Sequence, residues 1–490
     1  MKQPLLLSLM LVALTGCSVG PDFVRPGAGP DVPEDWARTP VSQDAATGPA
    51  PAARWWTAFG DAALDSLVDR AMRRNHDLAA AAARVAEARA QTGGAEAQRW
   101  PTIEVGGSAS RSKSANLNIP FPINPYVSSF SASATLRWEA DLWGRLGRGK
   151  ESAVAGLLAS ENDRRALAHS LAAEVVRTWL EIGELENQLA LTRESVASYT
   201  RTVAIVEDRY HAGLVEALDM HLARQNLAAA QATEPGLLQA RAGARRRLEI
   251  LCGDYPAGRG VQVDGAREDQ ACDLLPAVPE GLPSELLDRR PDLAAAESRL
   301  HAAVAQIGQA KAALYPRISL TGSAGSTSRE LADLGKEGTD VFSLVGNLVM
   351  PLINRGATKA QIQAAEARAA QASAAYRQAV LTAFAEVENT LDQDHYQQER
   401  AGHLTRAARS AAFAQEISQD RYQRGLDNIL VLLEAQRRFF TTESQRLSAQ
   451  RDRKAARVNL ILALGGPWDL PGAPPSGALV HSGANQGVEQ

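Results

Sequence analysis

The sequence is built from one pattern that occurs twice, and this repeat limits the folds that its 490 residues can adopt. Residues 77–101 align with residues 292–316 without a gap, and about half of the aligned positions are identical. Further along, Asp-Arg-Tyr-His-Ala-Gly-Leu at 208–214 returns as Asp-Arg-Tyr-Gln-Arg-Gly-Leu at 420–426. Because proline, tyrosine and glycine recur in the same order, the two halves are expected to share one fold.

Each half is predicted to contain a helix, two β-strands and a long helical hairpin. The first helix of each half ends before Pro101 or Pro316, since the residue before a proline disfavours the α conformation. Apolar and polar residues then alternate, as from Phe130 to Glu139, which is typical of strands with one apolar face. The predicted strands cover residues 102–113, 128–142, 317–328 and 340–352.

Long helices are predicted after the strands. Apolar residues such as Leu189, Val196 and Val203 recur with the spacing of a coiled-coil seam. A helix over residues 144–210, which contain no proline, would be on the order of 100 Å long. Gly213 and Gly425 stand where each hairpin is expected to reverse through a left-handed residue. The predicted long helices cover residues 144–210, 214–251, 357–424 and 426–464.

The N-terminus is typical of a bacterial lipoprotein signal. Lys2 precedes a short apolar run, and Leu-Thr-Gly leads directly to Cys17, whose thiolate would accept diacylglycerol. The alternative is an ordinary secretory signal with an incidental cysteine. Ser18 is not the aspartate that generally retains lipoproteins at the inner membrane, so the pattern favours the outer membrane. This covalent lipid is the only cofactor expected.

The domain organisation follows from the signal and the repeat. A signal peptide and a lipidated extended segment are predicted first, and two repeats are separated by a linker. A tail rich in proline, glycine and serine is expected to be disordered. In order, the predicted segments are residues 1–16, 17–64, 65–255 (repeat 1), 256–283 (linker), 284–466 (repeat 2) and 467–490 (tail).

The two remaining cysteines belong to a compartment that permits oxidation. A disulfide between Cys252 and Cys272 is therefore one hypothesis, and two free thiols are the other. A bridge of this loop length would contribute about 3 kcal/mol to stability.

Charge and hydropathy limit the partners. The net charge is −4 and no long block of lysine and arginine is present, which disfavours a nucleic-acid partner. After residue 17, no stretch has about 20 uninterrupted apolar residues. Any crossing of a membrane would therefore use the strands, and four strands are too few to close. Several protomers would have to assemble one barrel.

Motifs for catalysis are weak. The stretch from Gly144 to Lys150 resembles a phosphate-binding loop, but Glu151 follows where serine or threonine would hold Mg²⁺. The histidines are scattered, and His211 alone is more often solvated than a metal ligand. No metal site and no catalytic residue are predicted, and the chain is not expected to be an enzyme.

Three stretches carry a resemblance to a known family. Residues 55–64 (Trp-Trp-Thr-Ala-Phe-Gly-Asp-Ala-Ala-Leu), 141–145 (Asp-Leu-Trp-Gly-Arg) and 282–293 (Leu-Pro-Ser-Glu-Leu-Leu-Asp-Arg-Arg-Pro-Asp-Leu) resemble the NodT-type lipoproteins of the outer-membrane factor, or TolC-like, family. The resemblance implies a mixed α and β membrane protein that forms a trimer. In the trimer, a twelve-strand outer-membrane β-barrel would continue into a periplasmic α-helical barrel with a mixed equatorial region.

The resemblance also implies function and partners. Members dock on a periplasmic adaptor and an inner-membrane pump and passively export small toxic compounds, drugs or metals. Protein secretion, or a structural envelope lipoprotein without a pore, are the alternatives. In this family polar bonds near the helical turns close the tunnel, and Tyr422 would bond Asp219. The matching tip and gate candidates are Tyr210, Gly213, Asp219, Tyr422, Gly425, Asp427 and Glu434.

Overall fold

The computed structural model describes residues 18–26, 36, 54–113, 126–259 and 283–466. The predicted signal peptide, Cys17, Cys272 and the tail at 467–490 lie outside the described residues, as does most of the predicted linker.

In both halves the described elements follow the predicted order, except that a further helix precedes the predicted first helix. A short 3-10 helix at Trp55–Phe59 comes first. The α-helices are α1 (Ala62–Arg74), α2 (His76–Ala97), α3 (Arg145–His211), α4 (Ala217–Leu251), α5 (Pro283–Arg289), α6 (Pro291–Ala312), α7 (Ala357–Gln423) and α8 (Ile429–Ala463). The strands are β1 (Thr102–Lys113), β2 (Tyr126–Ala140), β3 (Arg317–Ser328) and β4 (Asp340–Val349).

One part of the predicted extended segment 17–64 is helical instead. The 3-10 helix buries Trp55, Trp56 and Phe59, and α1 begins within the predicted extended range. The Asp61 carboxylate accepts hydrogen bonds from the backbone N–H groups of Ala63 (2.7 Å) and Leu64 (3.2 Å). An aspartate at this position satisfies N–H groups that have no partner within the helix, so it favours the start of α1 inside the range predicted to be extended.

The four strands form one antiparallel sheet in the order β1-β2-β3-β4. The two predicted hairpins are present, and β2 also pairs with β3, which joins the two halves. In this register Trp138 lies opposite Leu320, and Leu136 lies opposite Ile103. The alternating apolar residues of neighbouring strands therefore share one face of the sheet.

That face is exposed in the protomer. Val105 is 84% exposed and Phe342 is 89% exposed, and other large apolar side chains on the strands are also exposed. On the opposite face, serine hydroxyls pair across strands, as between Ser108 and Ser131 at 2.8 Å. An exposed apolar area of this extent marks a surface that contacts lipid or another protein.

The sheet also has two open edges. Within the described residues, β1 pairs only with β2, and β4 pairs only with β3. Unpaired backbone groups at such edges favour pairing with further strands. Among the described helices, none is both long and apolar enough to span a bilayer.

The chain forms two compact units that cut across the sequence repeat. Unit 1 consists of residues 1–27, 83–161 and 294–378, and its described part contains the sheet. Unit 2 consists of residues 28–82, 162–293 and 379–490, and its described part contains the turns of both helical hairpins.

The helical hairpins of the two halves have equal lengths. The helices α3 and α7 each contain 67 residues, and α4 and α8 each contain 35. In unit 2, α3 and α4 are joined by ion pairs, including those of Glu186 with Arg241 (2.9 Å) and Arg245 (2.7 Å). Gln436 of α8 is buried and donates to the hydroxyls of Ser198 and Thr202 on α3. These contacts set which helix faces meet.

Candidate functional site: the two hairpin tips

Both hairpins of unit 2 reverse through the same backbone turn. Gly213 has a φ of 71° and Gly425 a φ of 74°, so both have the predicted left-handed conformation. The N–H of Leu214 donates to the carbonyl of Arg209, and the N–H of Leu426 donates to that of Arg421, both at 2.9 Å. These bonds satisfy carbonyls that the ends of α3 and α7 leave free.

A small apolar core lies behind the turns. Tyr422 is only 2% exposed and belongs to this core. Its other buried members come from the ends of α3, α4 and α8, and they are Val206, Ala223, Ile429, Leu432 and Leu433. The end of α7 is thus packed against the hairpin of the first repeat, α3 and α4, through a tyrosine ring.

The hydrogen bond predicted between Tyr422 and Asp219 is not formed. The Tyr422 hydroxyl is buried and has no hydrogen-bond partner among the described residues. The Tyr422 ring belongs to the apolar core, where its hydroxyl meets no acceptor among the described residues. Burial raises the pKa of the Tyr422 phenol, and the nearby charge of Arg209 opposes this shift.

Arg209, which sequence reasoning did not single out, makes the main polar contact between the two tips. Its guanidinium lies 4.4 Å from the centre of the Tyr422 ring. One of its terminal nitrogens also donates to the carbonyls of Tyr422 (2.9 Å) and Gln423 (3.1 Å). A charged donor at the C-terminal end of a helix is favourable because the free carbonyls there are negative. Arg209 of α3 therefore caps α7.

Two carboxylates among the gate candidates, Asp427 and Glu434, are paired within the chain. Asp427 accepts two hydrogen bonds from Arg421, at 2.7 and 3.1 Å, which hold the pKa of Asp427 below its usual value. Glu434 pairs with Arg438 and Arg437, and these contacts lower the pKa of Glu434. Their role in a gate stays a prediction.

The family of the chain follows from comparison with known proteins. The model of the family described as outer membrane efflux protein matches residues 67–254 and 282–466, which include both repeats and both tips. The chain belongs to this family.

Individual relatives match over nearly their whole length. The outer membrane protein OprJ of Pseudomonas aeruginosa is 34% identical, over 96% of this chain and 97% of OprJ. The cation efflux system protein CusC of Escherichia coli is 30% identical, over 93% and 97% of the two chains. The solved structure of the outer-membrane channel OprN has a TM-score of 0.80 at 30% identity, over 92% of this chain and all of OprN.

These matches confirm the predicted family, fold class and location. The chain is a mixed α and β protein with a two-fold internal repeat, of the trimeric outer-membrane channel type. It is the outer-membrane channel component of an efflux system. Proteins of this family are efflux channels rather than enzymes.

The stretch 282–293 of this efflux protein contains a largely buried arginine, Arg290, whose side chain is 11% exposed and has a structural role. Arg290 donates to the carboxylate of Asp292 at 3.0 and 2.7 Å and forms an ion pair with Glu386 of α7 at 2.7 Å. It also donates to the carbonyl of Ala463 at the end of α8, at 3.1 Å. In the first repeat the side chain of Asn75 donates to the carbonyl of Leu251, which ends α4. In each repeat, the residue directly before α2 or α6 thus caps the last helix of the hairpin.

The tips also expose apolar side chains. Leu214 is 73% exposed and Leu218 is 61% exposed beside the first turn. At the equivalent positions of the second turn, Leu426 is 62% exposed and Leu430 is 52% exposed. Tyr210 is 38% exposed, whereas its counterpart Tyr422 is buried.

The hypothesis of a disulfide between Cys252 and Cys272 stays a prediction, because Cys272 is outside the described residues. Cys252 is a free cysteine in the structure, 1% exposed, and its Sγ lies 3.7 Å from the carbonyl oxygen of Leu67. Burial raises the pKa of the Cys252 thiol to about 11, so the reactive thiolate is disfavoured. Cys272 and the lipidation candidate Cys17 lie outside the described residues.

Proposed function

We propose that three copies of this chain assemble a passive export channel through the outer membrane. The observation that carries the proposal is the sheet, whose apolar face is exposed and whose strands β1 and β4 each lack a neighbour on one side among the described residues. In lipid every backbone N–H and C=O needs a partner, so an open sheet is viable there only after closing with copies of itself. Three four-stranded sheets give twelve strands, within the range of known barrels.

The channel is passive: it supplies no energy for export and performs no catalysis. The energy for export comes from an inner-membrane pump, which also selects the cargo. The proposed cargo of this channel is small toxic compounds, such as drugs or metals. The name of the relative CusC, a cation efflux system protein, supports metals as one such class. Acylation of Cys17 adds a lipid anchor, the only prosthetic group proposed.

The full-length protein in planar lipid bilayers is expected to conduct ions, and its mass in detergent is expected to be that of a trimer. Protein dissociated to monomers by heat serves as the control and is expected not to conduct, because an open sheet encloses no pore. A monomeric native mass together with the absence of conductance would contradict the channel and favour a structural envelope lipoprotein.

A periplasmic adaptor is the proposed partner of the tips. Leu214, Leu218, Leu426 and Leu430 are more than half exposed, and pairs of leucines next to a helical turn fit the apolar face of a partner helix. Both tips present the same pattern, so each protomer offers two equivalent contacts for an adaptor hairpin.

Replacing Leu214 and Leu426 together by Asp is expected to abolish export in cells while leaving bilayer conductance unchanged. Two desolvated carboxylates in an apolar contact would weaken adaptor binding by at least tenfold. Leu331→Asp is the matched control, because Leu331 is similarly exposed (65%) but lies between β3 and β4. Binding of purified adaptor and resistance of a deletion strain are the measurements. Equal adaptor binding by the parent and the double variant would place the adaptor elsewhere.

A further inference from the structure

Residues 18–25, which follow Cys17, pack against other residues of unit 1. Residues 18–25 contact α6 at three positions that face the same way: Gly20 lies at Gly308, Phe23 at His301 and Arg25 at Glu297. Five residues of extended chain span about 17 Å, and so do the eleven helical positions from Gly308 to Glu297. The segment therefore runs antiparallel along α6 without slack.

The backbone contacts leave no room for side chains at one end of this segment. A Cβ on Gly20 would overlap the Cα of Gly308, and a Cβ on Gly308 would lie 2.8 Å from the carbonyl oxygen of Val19. The N–H of Val19 donates to the carbonyl of Trp143 at 3.2 Å, and Ser18 packs against Gly144. Glycine is the only residue that permits such an approach.

Charged and aromatic groups hold the rest of the segment. Arg148, whose side chain is 6% exposed, pairs with Asp22 (2.6 Å) and with Glu151 (2.8 Å). Glu151 in turn contacts the ring of His301 at 2.9 Å, and Phe23 stacks on that ring with centroids 4.5 Å apart. An ion pair with one buried partner is screened less by salt than a surface pair.

The surface lies where α6 and α3 meet the strands of unit 1. Trp143, which accepts the hydrogen bond from Val19, stacks on Tyr315 at 4.8 Å and donates from its indole nitrogen to the carbonyl of Pro316. The strand β3 begins at the next residue, Arg317. Tryptophan and tyrosine are enriched where membrane proteins meet the lipid headgroups.

We propose that residues 18–25 act as a strap, and that its seat on α6 and on the Gly144–Glu151 segment fixes the membrane anchor at the strand end of unit 1. In the sequence, Cys17 directly precedes Ser18, the first residue of the strap. The stretch that resembles a phosphate-binding loop thus receives this chain's own N-terminal segment. The strap does not depend on the proposed acylation of Cys17. Only the identity of the anchor as a lipid rests on that proposed function.

The test uses the full-length protein in membranes, with the photoreactive residue p-benzoylphenylalanine in place of Phe23. Irradiation is expected to join residue 23 to the α6 peptide that contains His301, as read by mass spectrometry. Gly308→Val is expected to reduce this product at least tenfold, because the strap no longer fits, and to redirect the product to lipid. Gly94→Val is the matched control, since a Cβ on Gly94 of α2 meets nothing within 4 Å.

A second pair of variants covers the case in which Gly308→Val does not fold. Arg25→Glu and Glu297→Arg are each expected to lower the product several-fold, and their combination is expected to restore it. A product that is unchanged by Gly308→Val, or one that joins residue 23 to lipid in the parent, would overturn the strap. The acyl group on the N-terminal peptide is read in the same digest, so its absence would contradict the proposed anchor without affecting the strap.

Discussion

The substitution Gly253→Ala is expected to destabilise unit 2 by on the order of 3–5 kcal/mol, a large effect for one methyl group. Gly253 follows α4 with a φ of 71°, a conformation that costs an L-residue about 1–2 kcal/mol. In addition, its Cβ would overlap the carbonyl oxygen of Arg74 at the end of α1. The backbone of one of the two segments must therefore move. Thermal loss of the helical circular-dichroism signal in detergent measures the effect.

Gly213→Ala provides the control for Gly253→Ala. Gly213 has the same φ of 71°, but a Cβ there meets nothing within 4 Å. Its substitution should therefore show the conformational cost alone, and the difference between the two variants reports the overlap with Arg74. Gly465→Ala should fall between them, because its Cβ would lie 3.1 Å from the backbone of Arg289. Equal thermal unfolding midpoints for Gly213→Ala and Gly253→Ala would show that the end of α1 moves away from residue 253 without a cost in stability.

Local structure was predictable because the two halves repeat the same pattern. Both strands β1 and β3 have the predicted bounds, α3 begins and ends one residue later than predicted, and α7 ends one residue earlier. Proline before each first strand restricts the backbone of the residue that precedes it, and glycine at each tip permits a positive φ. Such signals act within a few residues, so a single sequence contains them.

Tertiary contacts were less predictable because equivalent residues meet different neighbours. Arg209 and Arg421 occupy equivalent positions, yet Arg209 caps α7 whereas Arg421 binds Asp427 of its own turn. The difference follows from Val215, which stands where the second repeat has Asp427 and offers no carboxylate. The pairing of β2 with β3 and the seat of residues 18–25 likewise join segments far apart in sequence. No local pattern predicts contacts of that kind.

Arg209→Ala is expected to increase the fraction of time that the channel is open by about tenfold or more. Arg209 makes two charged hydrogen bonds to the end of α7 and lies over the Tyr422 ring. Hydrogen bonds from a charged group contribute about 1.5–3 kcal/mol, and 1.4 kcal/mol is a factor of ten in an equilibrium. If the tips close the channel, removing these contacts favours the open arrangement. Single-channel recording of the trimer in planar bilayers measures the open fraction.

Two controls separate this role from a general loss of charge or packing. Arg424→Ala removes an exposed tip arginine that, within the described part of the chain, pairs only with Asp420 of α7, and it should behave like the parent. Tyr422→Phe removes a hydroxyl that has no hydrogen-bond partner among the described residues, so it should be neutral or slightly stabilising. Arg209→Lys keeps the charge but not the flat guanidinium over the ring, and an intermediate open fraction is expected. An open fraction in Arg209→Ala equal to that in Arg424→Ala would show that the contact between the hairpins does not control opening.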